Sequence, residues 1–135
     1  MKLCLVYNKD NIKCDSVSKN ILNFFEDKNK ELKSNIITSD VKNKDIKICR
    51  KKYDVYVFLT DSIAELKEHS EGLKYPKRSV LITENLSASF ISEATNVVND
   101  IIYSRNSMDS ICSRLICIYS KYIAEDSLVN VKAWW

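Results

Sequence analysis

The chain has one glycine, one proline and one histidine in 135 residues. The glycine shortage excludes most phosphate-cradling sites. Dinucleotide and P-loop folds need a glycine-rich turn after a strand, so that backbone amides can close on the phosphate. Gly72 follows no apolar run, and no Gly-x-Ser-x-Gly elbow occurs. With one histidine, no histidine pair is available for zinc, and no ligand spacing joins His69 to a cysteine. His69 sits among Lys and Glu in a helical pattern and reads as a solvated surface residue. The five cysteines are odd in number and include no Cys-x-x-Cys pair, which fits reduced thiols in a cytoplasmic protein better than a disulfide framework. No apolar stretch approaches the roughly 20 residues of a membrane span. The run Leu3–Tyr7 is also too short for a secretory signal core. A net charge of +3, with basic residues interleaved among acids, disfavours nucleic acid. The densest basic run, Lys47 to Lys52, reads as a solvated helix end. These absences imply no cofactor and no metal.

What is present is a regular alternation. Four apolar runs, rich in β-branched and aromatic residues, stand out: 3–7, 53–59, 79–83 and 97–103; a weaker one covers 34–38. They are nearly continuous rather than alternating, as strands covered on both faces must be. Helix signals lie between them. Asp15 or Ser16 caps a first helix carrying Val17, Ile21, Phe24 and Phe25 at helical spacing. Asp40 caps a weak second one carrying Val41, Ile46 and Ile48. Ser62-Ile63-Ala64-Glu65 is a capping box for a third that ends near Gly72. Asn85 or Ser87 opens a fourth. The fifth and longest carries Met108, Ile111, Leu115, Ile118 and Tyr122 on one stripe, with Cys112, Ile116, Tyr119 and Ile123 on a second beside it. Such an order predicts a single α/β/α domain around a five-stranded parallel sheet, with flavodoxin-like or receiver-like order 2-1-3-4-5. The domain spans residues 1–124. Residues 125–135 form a C-terminal extension: an arm, a linker or an extra strand suggested by alternation at Val129, Val131 and Ala133.

Ligands of open α/β sheets bind at the carboxyl ends of the strands. Asn8, Asp10, Thr60, Asp61, Thr83 and Ser104 fall there and are the candidate ligand-binding residues. No nucleophile–base pair stands among them. The segment Asn99-Asp100-Ile101-Ile102-Tyr103-Ser104 leads into the long amphipathic helix, and Ser-Val-Leu-Ile-Thr ends in Thr83. In these features and in topology, residues 1–124 resemble the receiver domain of bacterial response regulators. The resemblance implies an acid pair after the first strand, a phosphoacceptor aspartate after the third, a Thr or Ser after the fourth and a Lys after the fifth, with Mg²⁺ held by the acids. Carried over by position, the acid pair is Tyr7 and Asn8, the phosphoacceptor is Leu59, the Thr is kept as Thr83, and the Lys is Ser104, followed by Arg105. Asp10 and Asp61 lie beyond the corresponding places and read as loop or N-cap carboxylates. The resemblance therefore implies an atypical, pseudo-receiver domain: a non-catalytic signalling or docking module working without aspartyl phosphorylation.

The double stripe on the last helix asks for a second partner surface. Met108, Ile111, Cys112, Leu115, Ile116, Tyr119, Tyr122, Trp134 and Trp135 are the candidate interface, for a protein partner or a homodimer formed through the fourth and fifth helices. The alternative is a small flavodoxin-like ligand-binding or enzymatic domain that uses the strand ends.

Overall fold

The computed structural model describes residues 2–28, 37–42, 54–71 and 78–133. Five strands form one sheet: β1 Lys2–Tyr7, β2 Ile37–Lys42, β3 Val55–Leu59, β4 Ser79–Thr83 and β5 Asp100–Tyr103. Their spatial order is β2-β1-β3-β4-β5, and every neighbouring pair is parallel. Four helices appear among the described residues: α1 Ile12–Lys28, α2 Ile63–Ser70, α3 Ala88–Ala94 and α4 Met108–Ala133.

Because strand side chains alternate between faces, the continuous apolar runs feed two cores at once. Leu3, Leu5 and Tyr7 of β1, Val55, Val57 and Leu59 of β3, and Val80 and Ile82 of β4 pack against α1 and α4. Cys4, Val6, Tyr56, Phe58 and Leu81 point the other way, onto Leu66 of α2 and Phe90 and Ala94 of α3. All five residues of β3 and of β4 are buried, which is why neither shows a polar alternation.

Several expectations change. The helix expected from Asp40 is not formed there: the backbone of Asp40 and Val41 belongs to β2, paired with Leu5 and Val6. β2 begins three residues later than the 34–38 run, and Ile46 and Ile48 lie outside the described residues. Here an edge-strand ladder overrides a weak cap signal. The first helix starts at Ile12, ahead of Asp15. Asn11 caps it, accepting the Cys14 N–H on its side-chain oxygen at 3.2 Å. Ser62 does cap α2, accepting the Glu65 N–H at 3.3 Å. The Ser62 N–H, however, goes to the Thr60 hydroxyl instead of the Glu65 carboxylate, so only half of the capping box is made. Val97 and Val98 precede β5: their N–H groups bond the carbonyl of Ala94 and wind the chain back onto the end of α3. His69 is buried on the same side of α2 as Leu66.

The largest corrections concern α4. Ile111, Cys112, Leu115 and Tyr122 are all in the α1/α4 core, and Met108 and Tyr119 pack against it. The first stripe is therefore spent inside the domain, as are Cys112 and, in part, Tyr119 of the second, because α4 lies against α1 as well as against the sheet. Of the candidate interface residues that the structure describes, only Ile116 is exposed, at 37%. Trp134 and Trp135 lie outside the described residues. The backbone from 125 to 133 continues α4, where the alternation suggested an extended arm. No glycine or proline interrupts residues 108–133, so each residue adds another hydrogen bond to an already nucleated helix.

Candidate functional site

Parallel strands and crossover helices bring the loops after β1, β3, β4 and β5 to one rim of the sheet. After β1, the rim begins with Tyr7, whose ring is buried and whose hydroxyl donates to Asp15 at 3.1 Å. The Lys19 ammonium, 2.9 Å from the same carboxylate, holds the Asp15 pKa below its ordinary value, with the Tyr7 hydroxyl adding to the effect. Asn8 accepts the Asp10 N–H on its side-chain oxygen at 3.0 Å, a tight turn that leaves Asp10 exposed to water.

After β3, Thr60 is buried and turns on itself, accepting the Ser62 N–H at 3.1 Å. The next residue, Asp61, joins two loops. Its Oδ1 accepts the Thr83 hydroxyl at 2.7 Å and the Glu84 N–H at 2.8 Å. The Asn85 side-chain amide donates to the Asp61 carbonyl at 3.1 Å, and the Asn85 N–H donates to the Thr83 hydroxyl oxygen at 3.0 Å. The loop after β3 and the loop after β4 are thus tied by three bonds, two of them to a carboxylate and therefore of the stronger kind. Glu84 extends the tie. Its Oε2 lies 3.5 Å from Lys13 on α1, and its Oε1 lies 3.7 Å from Arg105 after β5. Both cations are mostly exposed, so these pairs contribute little to stability.

Beneath this network is a shallow cleft lined by Lys13, Cys14, Val17, Leu59, Asp61, Ile82, Thr83, Glu84 and Ser104. Its enclosed space of about 20 Å³ is that of one water-sized molecule. The Ser104 N–H donates to the Thr83 carbonyl at 2.9 Å, while the Ser104 hydroxyl oxygen is buried without a hydrogen-bond partner. Burial raises the Cys14 thiol to about 11, helped by the negative charges of Asp61, Glu65 and Glu84. At neutral pH this thiol is protonated and a poor nucleophile. Among the described residues, no three His, Cys, Asp or Glu side chains gather closely enough to hold a metal ion.

Of the six candidate ligand residues, the cleft brings together Asp61, Thr83 and Ser104; Asn8, Asp10 and Thr60 do not line it. Lys13, Cys14, Glu84 and Asn85 belong to the site but were not among the candidates. Glu84 and Asn85 follow Thr83 directly, so the strand-end rule extended by two residues would have found them. Lys13 and Cys14 enter through the first turn of α1, which carries no strand-end signal.

No family model matches the chain, and no curated protein matches it. Solved structures do. The receiver domain of a Francisella response regulator superposes with a TM-score of 0.57 at 21% identity, over 88% of this chain and 97% of that one. A fusion protein carrying a trimeric coiled-coil segment of yeast Spc42 superposes with a TM-score of 0.63 at 10% identity, over 93% of this chain and 83% of that one. The fold is receiver-like. No helix among the described residues is long and apolar enough to cross a membrane.

Proposed function

We propose that this chain is a non-catalytic, receiver-like signalling or docking module that works through protein–protein contact and without aspartyl phosphorylation. The observation that carries this reading is the end of β3. Leu59, 1% exposed, stands where the receiver resemblance puts the phosphoacceptor. The nearest carboxylate, Asp61, is engaged by Thr83 and Glu84. A leucine offers no oxygen to a phosphoryl group, and Tyr7 and Asn8 supply no acid pair for Mg²⁺. The four free cysteines among the described residues fit the cytoplasm of a bacterial cell, where response-regulator signalling takes place.

The docking partner in this reading is a second copy, met through α3 and α4. Its support is the length of α4. The Tyr122 hydroxyl lies 3.5 Å from the carboxylate of Asp100, the first residue of β5. Eleven helical residues, 123–133, follow that point. At 1.5 Å each they extend α4 by roughly 16 Å after it has run the length of β5. A helical extension of that size gains most from packing on another helix. The coiled coil named for the fusion protein belongs to that protein; it agrees with this reading without carrying it.

The experiment is incubation with acetyl phosphate and Mg²⁺, read by intact-mass spectrometry, with light scattering on the same sample. The expected result is an unchanged mass and a dimer. A phosphoryl group on Asp61 would end the non-catalytic reading, and a monomer at high concentration would end the α3/α4 pairing.

A second reading, a small-ligand site using Asn8, Asp10, Thr60, Asp61, Thr83 and Ser104, has one observation in its favour: the buried, unpartnered Ser104 hydroxyl oxygen in the cleft. Thermal stabilisation by a nucleotide, FMN or a cyclic dinucleotide would establish it over the docking module.

A further inference from the structure

A groove of about 290 Å³ opens between the start of α2 and α3, on the opposite face of the sheet from α1 and α4. That is more than ten times the space of the rim cleft, room for a long side chain rather than for a water. Ile63 and Phe90 give it an apolar wall. Its polar lining consists of acceptors that are open or weakly held. Asp61 spends Oδ1 on Thr83 and Glu84, while its Oδ2 has no hydrogen-bond partner among the described residues. Ser87 precedes α3 without making a side-chain cap bond. Glu93 is paired with Lys67 at 3.5 Å, but both side chains are more than half exposed, so an incoming cation can replace the lysine at little cost. Among the described residues no Lys, Arg or His lines the groove. The charge of the surrounding elements has the same sign. Residues 61–71 and 85–96, which build both helices and their approaches, hold five carboxylates, Asp61, Glu65, Glu68, Glu71 and Glu93, against one lysine, Lys67. The whole chain carries +3, so negative charge is concentrated on this face and draws cations to it.

We propose that the groove between α2 and α3 docks a basic segment of a protein partner and takes up one of its arginine side chains. The methylene stem of the arginine lies along Ile63 and Phe90. Its guanidinium presents five donors in a rigid fork, which the Asp61 Oδ2, the Glu93 carboxylate and the Ser87 hydroxyl accept. Two carboxylates on separate elements suit that planar fork better than the compact ammonium of a lysine. Leu86, 54% exposed between the groove residues Asn85 and Ser87, offers an apolar contact to a residue flanking the arginine. Binding here needs no second copy of the chain, so it stands or falls apart from the α3/α4 pairing.

Fluorescence anisotropy with a labelled Leu-Arg-Arg-Leu peptide tests it on the full chain. Saturable binding is expected, weakening as salt is added. Replacing both arginines by citrulline, which keeps their shape and removes their charge, abolishes it. Glu93→Lys weakens binding by at least about tenfold, whereas Glu26→Lys, at an exposed acid of α1 across the sheet, changes it by less than about twofold. The side-chain NMR signals of Ile63 and Phe90 shift with the same midpoint. Absence of saturable binding overturns the proposal, and so does equal binding of the citrulline peptide. Equal losses in the two variants overturn it as well, because they mean attraction to net charge alone. Spermidine displacing the peptide at concentrations below those the peptide itself needs would make the groove a polyamine site instead. Should Glu93→Lys not fold, the wild-type signals still decide: shifts that leave Ile63 and Phe90 unmoved put the peptide elsewhere.

Discussion

The two faces of the sheet are built differently. On one side lie α1 and α4, of 17 and 26 residues, over a continuous core that runs from Leu3 to Tyr122. On the other lie α2 and α3, of 8 and 7 residues, over a smaller cluster centred on Tyr56 and Phe58. Helices as short as α2 and α3 do not hold their shape alone, because nucleation costs more than a turn or two returns. The long-helix side is secured by packing. The short-helix side leans in addition on the polar tie at the rim, where Asp61 precedes α2 and Thr83, Glu84 and Asn85 precede α3. The same sheet is thus stabilised by burial on one face and by burial plus hydrogen bonding on the other.

Matched truncations are the strongest way to break this comparison. Leu115→Ala on α4 and Leu66→Ala on α2 each delete a fully buried side chain. Leu115→Ala is expected to cost about 4 kcal/mol and Leu66→Ala about 2–3 kcal/mol, because a short helix relaxes into the cavity more readily than a long one held by two neighbours. Urea unfolding measures both, and equal losses would mean that helix length does not matter here. A smaller effect should come from Thr83→Val, which keeps the shape and removes the hydroxyl that serves both Asp61 and Asn85. About 1–2 kcal/mol is expected. Faster hydrogen exchange should appear in α3 and not in α1; exchange rising equally on both faces would show that the tie is not local.

The smallest effect separates the faces by pH. Burial lifts the Cys112 thiol from 9.0 to about 12 and the Tyr122 phenol from 10.0 to about 12; neighbouring acids, Asp109 for the thiol and Asp100 for the phenol, add to it. Asn99, hydrogen-bonding the Tyr122 phenol, offsets part of that rise. Both groups belong to the α1/α4 core. Each holds its proton in the folded chain over a range in which the unfolded chain releases it. Stability from these groups is therefore complete below pH 9 and declines as pH rises from 9 towards 12. Cys112→Ala combined with Tyr122→Phe should flatten that alkaline decline in a thermal-melt series. An unchanged slope would place its origin elsewhere.

The alternation of strands and helices was legible because buried parallel strands leave continuous apolar runs, and 79–83 shows this most clearly: its ends coincide with β4. Other boundaries were harder to read. Val97 and Val98 look like strand in composition, yet they close the turn after α3, because the carbonyl at the end of that helix is the nearer partner. Asp40 looks like a cap until its backbone is counted as an edge-strand partner of Leu5. At the rim, Thr83 and Asp61 could be named from position, but their bond could not, since it joins loops 22 residues apart. The apolar surplus of α4 was visible, but its destination was not. A helix that touches a sheet and a second helix needs a wide stripe, and sequence alone does not separate that need from an interface.

The thiols of this chain differ in ways that make the molecule easy to instrument. Cys4 and Cys112 are sealed inside, Cys14 is half-covered and firmly protonated, and Cys117 faces outward one position beyond Ile116 on α4. In a Cys49→Ser background, a maleimide dye or nitroxide should therefore attach first at Cys117. A reporter there would sit on the outer surface of the longest helix and would register by its own spectrum whether another molecule comes to lie alongside.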